Sequence, residues 1–207
     1  MKLYGAPQTR SFRILWMLEE CNADYERILV DIRAGQQHSA AYRSVNPMGK
    51  VPALSDGTIN IAESGAICAF LAERFPDAEL APPVGDKDRG RYLHWLFFSG
   101  NCVEPSFLEK AAGFQPNSAA SGWGSYQRVM AVIAEAIRTG PWILGDRFSG
   151  ADIMIGTDLY FGSRTLGLIE QKPVFERYIQ RCGSRPAFQR AEAFDRDWTS
   201  ADQSMSE

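Results

Sequence analysis

The stretch NPMGKVPALSDGTINIAESGAI, Asn46–Ile67, decides the fold of this chain. Asn46-Pro47 and Met48-Gly49 are turn signals, and Val51-Pro52-Ala53-Leu54 follows as a short apolar run. A proline cannot donate to a sheet ladder, so Pro52 belongs at a strand's start or edge, and its peptide bond is a candidate for the cis form. Ser55-Asp56-Gly57-Thr58 reads as a two-residue Asp-Gly hairpin turn leading into Ile59-Asn60-Ile61, which makes the flanking strands antiparallel. Glu63-Ser64-Gly65 then opens a helix whose apolar positions Ile67, Phe70, Leu71 and Phe75 recur at helical spacing, until Pro76 stops it. A helix start with a serine and free N–H groups suits an anion. Singly, these pieces are an ordinary hairpin and an ordinary capped helix. In this order, with almost no residue able to do acid or base chemistry, they describe a binding site built from backbone.

Upstream, Lys2–Gly5 reads as a strand, Ala6-Pro7-Gln8 as a loop, and the pattern turns helical from Thr9 or Arg10. In that helix Phe12, Leu15, Trp16, Leu18 and Cys21 are apolar, while Glu19 and Glu20 are expected to face water. Asn22-Ala23-Asp24 closes it and Tyr25–Val30 makes a second strand, so the first two strands should be parallel with a right-handed crossover. The span 32–44 is polar, a surface arm with one irregular helix. Downstream, DAELAPPVGDKD at 77–88 reads as a linker. Beyond it strand signals nearly vanish, and 89–112, 122–139, 151–163, 173–182 and 187–194 all read as helix, with a frayed polar tail after Trp198. The organisation is therefore 1–76, an α/β domain; 77–88, a linker; and 89–207, an all-α domain. Ser149 and Asp152 form a capping-box pattern opening a mostly apolar helix, a structural role.

Among 207 residues, 22 basic against 25 acidic side chains leave a net charge of -3. No basic cluster suggests nucleic acid, and no window approaches the apolar run of roughly 20 residues that a membrane helix needs. The opening Met1–Gly5 reads as a strand rather than a secretion signal. Cys21, Cys68, Cys102 and Cys182 are far apart, with no Cys-x-x-Cys pair and no His-rich segment. They read as reduced thiols of a cytoplasmic protein, with neither a disulfide framework nor a metal site. Nucleotide-binding glycine motifs and H-E-x-x-H are absent from the sequence.

A β-α-β, β-β-α unit followed by helices, with the N-P-x-G-K-V-P-A-L loop, the E-S-x-A-I helix start and the S-x-A-D box, resembles the cytosolic glutathione S-transferase family. The resemblance covers the chain up to its tail, and implies a thioredoxin-like domain followed by an all-α domain. It is to bacterial members with a serine/threonine-type rather than a cysteine-type site, since Arg10 stands where cysteine-type members carry their cysteine. It implies glutathione as co-substrate, no metal, a small hydrophobic electrophile, and a homodimer built from the third and fourth helices. Val51 would pair its backbone with the cysteinyl part of glutathione, Pro52 would hold that geometry, and Glu63 and Ser64 would hold the γ-glutamyl end. Lys50, Gln37 and His38 match the region for the glycine carboxylate, with Gln37 where related proteins often carry the histidine. An ordinary surface role is the alternative for His38.

Catalysis in that family needs a thiolate, and a free thiol near pKa 8.5 is only a few per cent ionised at neutral pH. Thr9 falls on the activating hydroxyl position, and Ser11 is the alternative. The pocket for the electrophile would draw on Gln8, Arg10, Phe98, Asn101, Cys102, Phe107 and Trp123. The function implied is a transferase that lets the thiolate attack a small apolar electrophile. The alternatives are a glutathione-dependent dehalogenase, isomerase or peroxidase using the same site, or a non-catalytic binding protein of the same fold.

Overall fold

The computed structural model of the chain describes residues 1–204. Four short strands, β1 (Lys2–Gly5), β2 (Glu26–Leu29), β3 (Ala53–Ser55) and β4 (Asn60–Ala62), form one sheet in the order β2-β1-β3-β4. β1 and β2 are parallel, whereas β3 is antiparallel to both β1 and β4. The parallel pair needs a crossover, and α1 (Ser11–Glu20) supplies it. A one-turn 3-10 segment at Gln36–His38 and the short α2 (Ala40–Arg43) make up the irregular arm, and α3 (Ser64–Arg74) follows β4 directly.

The hairpin turn sits one residue further along than its Asp-Gly motif suggests. Ser55 pairs with Asn60 and Asp56 N–H donates to Ile59 C=O (3.3 Å), so the tip is Gly57-Thr58 and not Asp56-Gly57. The Asp56 carboxylate causes this by gathering the N–H groups of Thr58 (2.9 Å) and Ile59 (3.0 Å) and the Thr58 hydroxyl (2.7 Å). Three donors on one carboxylate hold the chain in this turn and lower the Asp56 pKa to about 2.

The chain forms two compact units, one of Met1–Ala78 with the chain from Arg185 on, the other Glu79–Ser184. The last helix, α9 (Pro186–Ser204), thus groups with the sheet and not with the helices that precede it. Every residue from Ser11 to Leu18 on α1 is buried, because the sheet and α3 cover one side and α9 the other. Phe188 of α9 meets Phe12 and Trp16 edge-on, at centroid distances of 5.0 and 4.9 Å. Glu19 and Glu20 do not simply face water. Arg185 clasps Glu20 in a two-pronged ion pair (2.5 and 2.7 Å), and Arg190 reaches Glu19 at 2.6 Å. The expectation failed because their partners lie over 160 residues away in sequence, where periodicity within one helix carries no information.

In the helical unit, α4 (Arg89–Phe98) and α5 (Glu104–Ala112) are joined by a π-helical turn, Ser99–Val103, where the sequence reads as one unbroken helix. α6 (Tyr126–Ala136) begins later than its apolar pattern suggests, because Ser125 caps it by accepting from Arg128 N–H. α7 (Gly150–Arg164) opens with the expected capping box, and α8 (Pro173–Gly183) follows. Asp152 accepts from Ser149 N–H (2.8 Å), Ile143 N–H (2.7 Å) and the Tyr178 hydroxyl (2.6 Å), a junction of three elements and no catalytic arrangement. The helix α9 runs to Ser204, past the point where the sequence suggests a frayed tail; the last three residues of that tail lie outside the described ones. No helix among the described residues is long and apolar enough to cross a membrane, and none of their His, Cys, Asp and Glu side chains cluster as a metal site would require.

Candidate functional site

Strand directions bring the candidate residues of the first unit to one end of the sheet. Tyr4 pairs with Ala53 and Ala53 with Ala62, so the exit of β1, the entry to β3 and the exit of β4 share that end. The exit of β2 lies there too, since Gly5 pairs with Leu29 and Val30 N–H donates to Gly5 C=O (2.8 Å). From these four strand ends run the Gln8–Ser11 loop, the arm with Gln37 and His38, the Val51-Pro52 step, and the Glu63-Ser64 helix start. Two helices, α1 and α3, begin at this end and turn their positive poles toward it.

The Val51–Pro52 peptide bond is cis. Among the described residues no hydrogen bond engages the N–H or C=O of Val51, although its side chain packs on Val30, Tyr42 and Ala53. A free donor and acceptor on one residue, one step before a strand, is what an added extended segment pairs with. The loop is braced from within. Tyr42 Oη donates to Lys50 C=O at 2.6 Å and Asn46 Nδ2 to the same oxygen at 2.7 Å, while Asn46 Oδ1 accepts from Met48 N–H at 3.1 Å. Asn46 and Tyr42, both buried, shape this loop, and only the Asn-Pro-x-Gly spacing of the first signals it in the sequence.

Gly49, at φ +61, lets the arm approach, because a Cβ there would sit 2.8 Å from the Gln37 carbonyl oxygen and 3.5 Å from His38 Nδ1. Gln37 and His38 are therefore neighbours of the loop that carries Gly49 and Lys50. Gln37 Nε2 donates to Ile32 C=O (3.1 Å) and also lies 3.4 Å from His38 Nε2. The Lys50 side chain is exposed and its ammonium forms no ion pair among the described residues.

Glu63 caps α3 by position, with φ +66 and ψ 115, a conformation unfavourable for a residue with a Cβ. The Ile67 N–H closes the first helical bond onto Glu63 C=O, so the N–H groups of Ser64, Gly65 and Ala66 point out of the helix end with no partner among the described residues. Ser64 adds its hydroxyl to them. Donors so arranged at a helix start suit an anion.

The two candidate hydroxyls are unlike. Ser11 is wholly buried and Thr9 half-buried. Ser11 Oγ accepts from Ala6 N–H (3.2 Å) and lies 2.8 Å from Thr9 Oγ1, which also lies 2.7 Å from Ala6 C=O and accepts from Ser11 N–H at 3.2 Å. Each hydroxyl carries one proton, so the pair closes a ring running from Ala6 N–H through Ser11 and Thr9 to Ala6 C=O. The N-cap of α1 is Arg10, not Thr9, and its side chain makes no capping bond. Gln8 and Arg10 are exposed, and Gln8 N–H donates to the Asp195 carboxylate (3.3 and 3.2 Å).

In the helical unit, Phe98, Asn101 and Cys102 sit at the π-helical turn, where Phe98 stacks edge-on with Trp95 at 5.0 Å and burial raises the Cys102 thiol pKa. Phe107 and Trp123 have packing duties. Phe107 is buried with its ring against Gly162, and Trp123 Nε1 donates to Glu109 at 2.7 Å. The buried thiols Cys21 and Cys68 are pushed up to about 12, first by burial, which leaves them inert.

Residues 1–73 match the family described as glutathione S-transferase, N-terminal domain. The chain is 28% identical over 203 residues to glutathione S-transferase F13 of Arabidopsis thaliana, covering 91% of this chain and 93% of that protein. It is 28% identical over 198 residues to the disulfide-bond oxidoreductase YfcG of Escherichia coli strain K12, covering 89% and 91%. Among solved structures, a sphingomonad glutathione S-transferase complexed with glutathione superposes with a TM-score of 0.75 at 28% identity, covering 94% of this chain and 98% of that one. The chain has the glutathione S-transferase fold, a thioredoxin-like domain followed by a helical one, and the family match falls on the first of these.

Proposed function

We propose that this protein is a glutathione transferase, which binds glutathione at the shared sheet end and lets its thiolate attack a small apolar electrophile. The observation that carries this reading is the unpaired backbone of Val51 beside the open start of α3, at one end of one sheet. In the reading, Val51 pairs with the cysteinyl unit and Pro52 holds the step. Glu63, Ser64 and the first N–H groups of α3 take the γ-glutamyl carboxylate, and Lys50, Gln37 and His38 take the glycine carboxylate. Thr9 is the donor to sulfur, because Ser11 is buried. The reading includes a homodimer, for which Phe97, 65% exposed on α4, offers apolar surface.

To serve the sulfur, the Thr9 hydroxyl turns away from Ala6 C=O. A neutral hydrogen bond is worth about 1 kcal/mol net and one to an anion about 1.5–3, so the exchange favours the thiolate by about 1 kcal/mol, somewhat under one pKa unit. The positive end of α1 adds about 0.3–1 kcal/mol. Titrating glutathione into the protein while following thiolate ultraviolet absorption tests this. The bound thiol pKa should fall by about one unit below its free value near 8.5, and Thr9→Val should remove most of that fall. Loss of the shift only in Ser11→Ala would reassign the donor.

A second reading, a glutathione-binding protein without transferase chemistry or with a different reaction, is favoured by the closed hydroxyl ring, which already occupies the Thr9 proton. A disulfide-bond oxidoreductase among the relatives shows how the activity differs between similar chains. Binding of glutathione with no fall in its thiol pKa would decide for this reading and against the transferase.

A further inference from the structure

Gln8 adopts φ +54, a left-handed conformation that side-chain-bearing residues avoid unless their surroundings hold them there. What holds it comes from the far end of the chain. Its backbone N–H donates to both oxygens of Asp195, at 3.3 and 3.2 Å, across 187 positions. Asp195 is delivered by a firmly seated helix. One turn on, Trp198 covers the β1–α1 junction so closely that a Cβ on Gly5 would lie 2.6 Å from the indole. Two turns back, Phe188 packs on Phe12 and Trp16, and Arg27 of β2 lies 4.2 Å over the Phe194 ring while donating to the Phe194 carbonyl. A carboxylate on a helix seated at both sides, with both oxygens on the Gln8 amide, is placed to define that amide's orientation.

We propose that Asp195 is the positioning residue of the thiol loop, fixing Gln8 from α9 and thereby the conformation in which Thr9 follows it. The inference rests on the glutathione reading only for the ligand concerned; the hold on Gln8 stands apart from it. Burial first, then the like charge of Glu192, push the Asp195 carboxyl up to about 6, against the pull of the Gln8 N–H. Other charged groups on the packed elements have partners of their own. Glu19 and Glu20 of α1 are held by Arg190 and Arg185, Arg27 of β2 by Asp197 (3.8 Å) and the Phe194 carbonyl, and Arg196 by Glu192 (3.1 Å). Arg13 of α1 is buried, and Arg10 lies in the same loop as Gln8. Below pH 6 the carboxyl is neutral and its hold on Gln8 weakens; above it the hold is charge-assisted.

The test follows the Gln8 amide by nuclear magnetic resonance, with no ligand needed. In the wild type its shift should titrate with a midpoint near 6, and Glu192→Gln should lower that midpoint. Asp195→Asn, which keeps an acceptor and loses the charge, should abolish the titration. Asp195→Ala should speed Gln8 amide exchange roughly tenfold and weaken glutathione binding by a similar factor. Glutathione affinity in the wild type should fall as pH drops through 6 and do so less in Asp195→Asn; His38 is unchanged between the two, so the difference isolates Asp195. A Gln8 amide that does not titrate in the wild type, or that exchanges no faster in Asp195→Ala, overturns the proposal. If Asp195→Ala fails to fold, the titration lost or kept in Asp195→Asn decides. Should the wild type not bind glutathione at all, the functional reading fails while the amide measurements still judge Asp195.

Discussion

At the scale of single residues, the proposed site offers few side chains able to do chemistry and many unpaired backbone groups. Val51 contributes an N–H and a C=O, Ser64 to Ala66 contribute three N–H groups, and Gly49 contributes the absence of a Cβ. Glu63 is the exception, because it retains a side chain at φ +66. Holding such a residue costs about 1–3 kcal/mol, and a glycine there would lose only about 0.5–1 in chain entropy. Glu63→Gly should therefore raise the unfolding free energy by about 1 kcal/mol in urea while weakening glutathione binding. A variant less stable than the wild type would show that the Glu63 conformation is not strained.

Among the elements, α7 carries the clearest energetic signature. Its capping residue Asp152 is buried among donors from Ile143, Ser149 and Tyr178, and burial raises its carboxyl pKa to about 6. The unfolded chain titrates it near 3.9. Between those values the folded protein holds a proton that the unfolded one has released, so stability is greatest below pH 4 and is lost as pH rises through 6. Asp152→Asn removes this dependence. Unfolding measured at pH 4 and pH 7 should show the wild type losing about 2–3 kcal/mol more than the variant across that interval. An equal loss in both would mean that Asp152 stays ionised throughout.

On the scale of the whole molecule, the return of α9 to the sheet unit ties the two ends of the chain together. Phe188 is the apolar centre of that contact, nearly fully buried against Phe12 and Trp16. Removing a large buried ring costs about 3–5 kcal/mol. Phe188→Ala should cost that much in denaturant unfolding, and hydrogen exchange should speed in α1 while that of α6 and α8 stays unchanged. Uniform acceleration through both units would show that they unfold as one.

Much of this was legible in the sequence because it is local. The β-α-β and β-β-α order, the proline at the entry to β3, the Glu63-Ser64 helix start and the Ser149–Asp152 box each depend on residues within a few positions of one another, and short-range sterics and hydrogen bonding dictate them. The hairpin tip lies one residue beyond its motif, at Gly57-Thr58, where the Asp56 carboxylate gathers the donors of Thr58 and Ile59. What tertiary structure alone decided involves partners brought together by folding. Ser11 reads like Thr9 in the sequence, yet one is wholly buried and the other half-buried. Glu19 and Glu20 read as solvated, yet arginines from α9 hold them. The membership of α9 in the first unit, and the reach of Asp195 to Gln8, could not be read from periodicity, which reports that a helix has an apolar face but not which surface covers it.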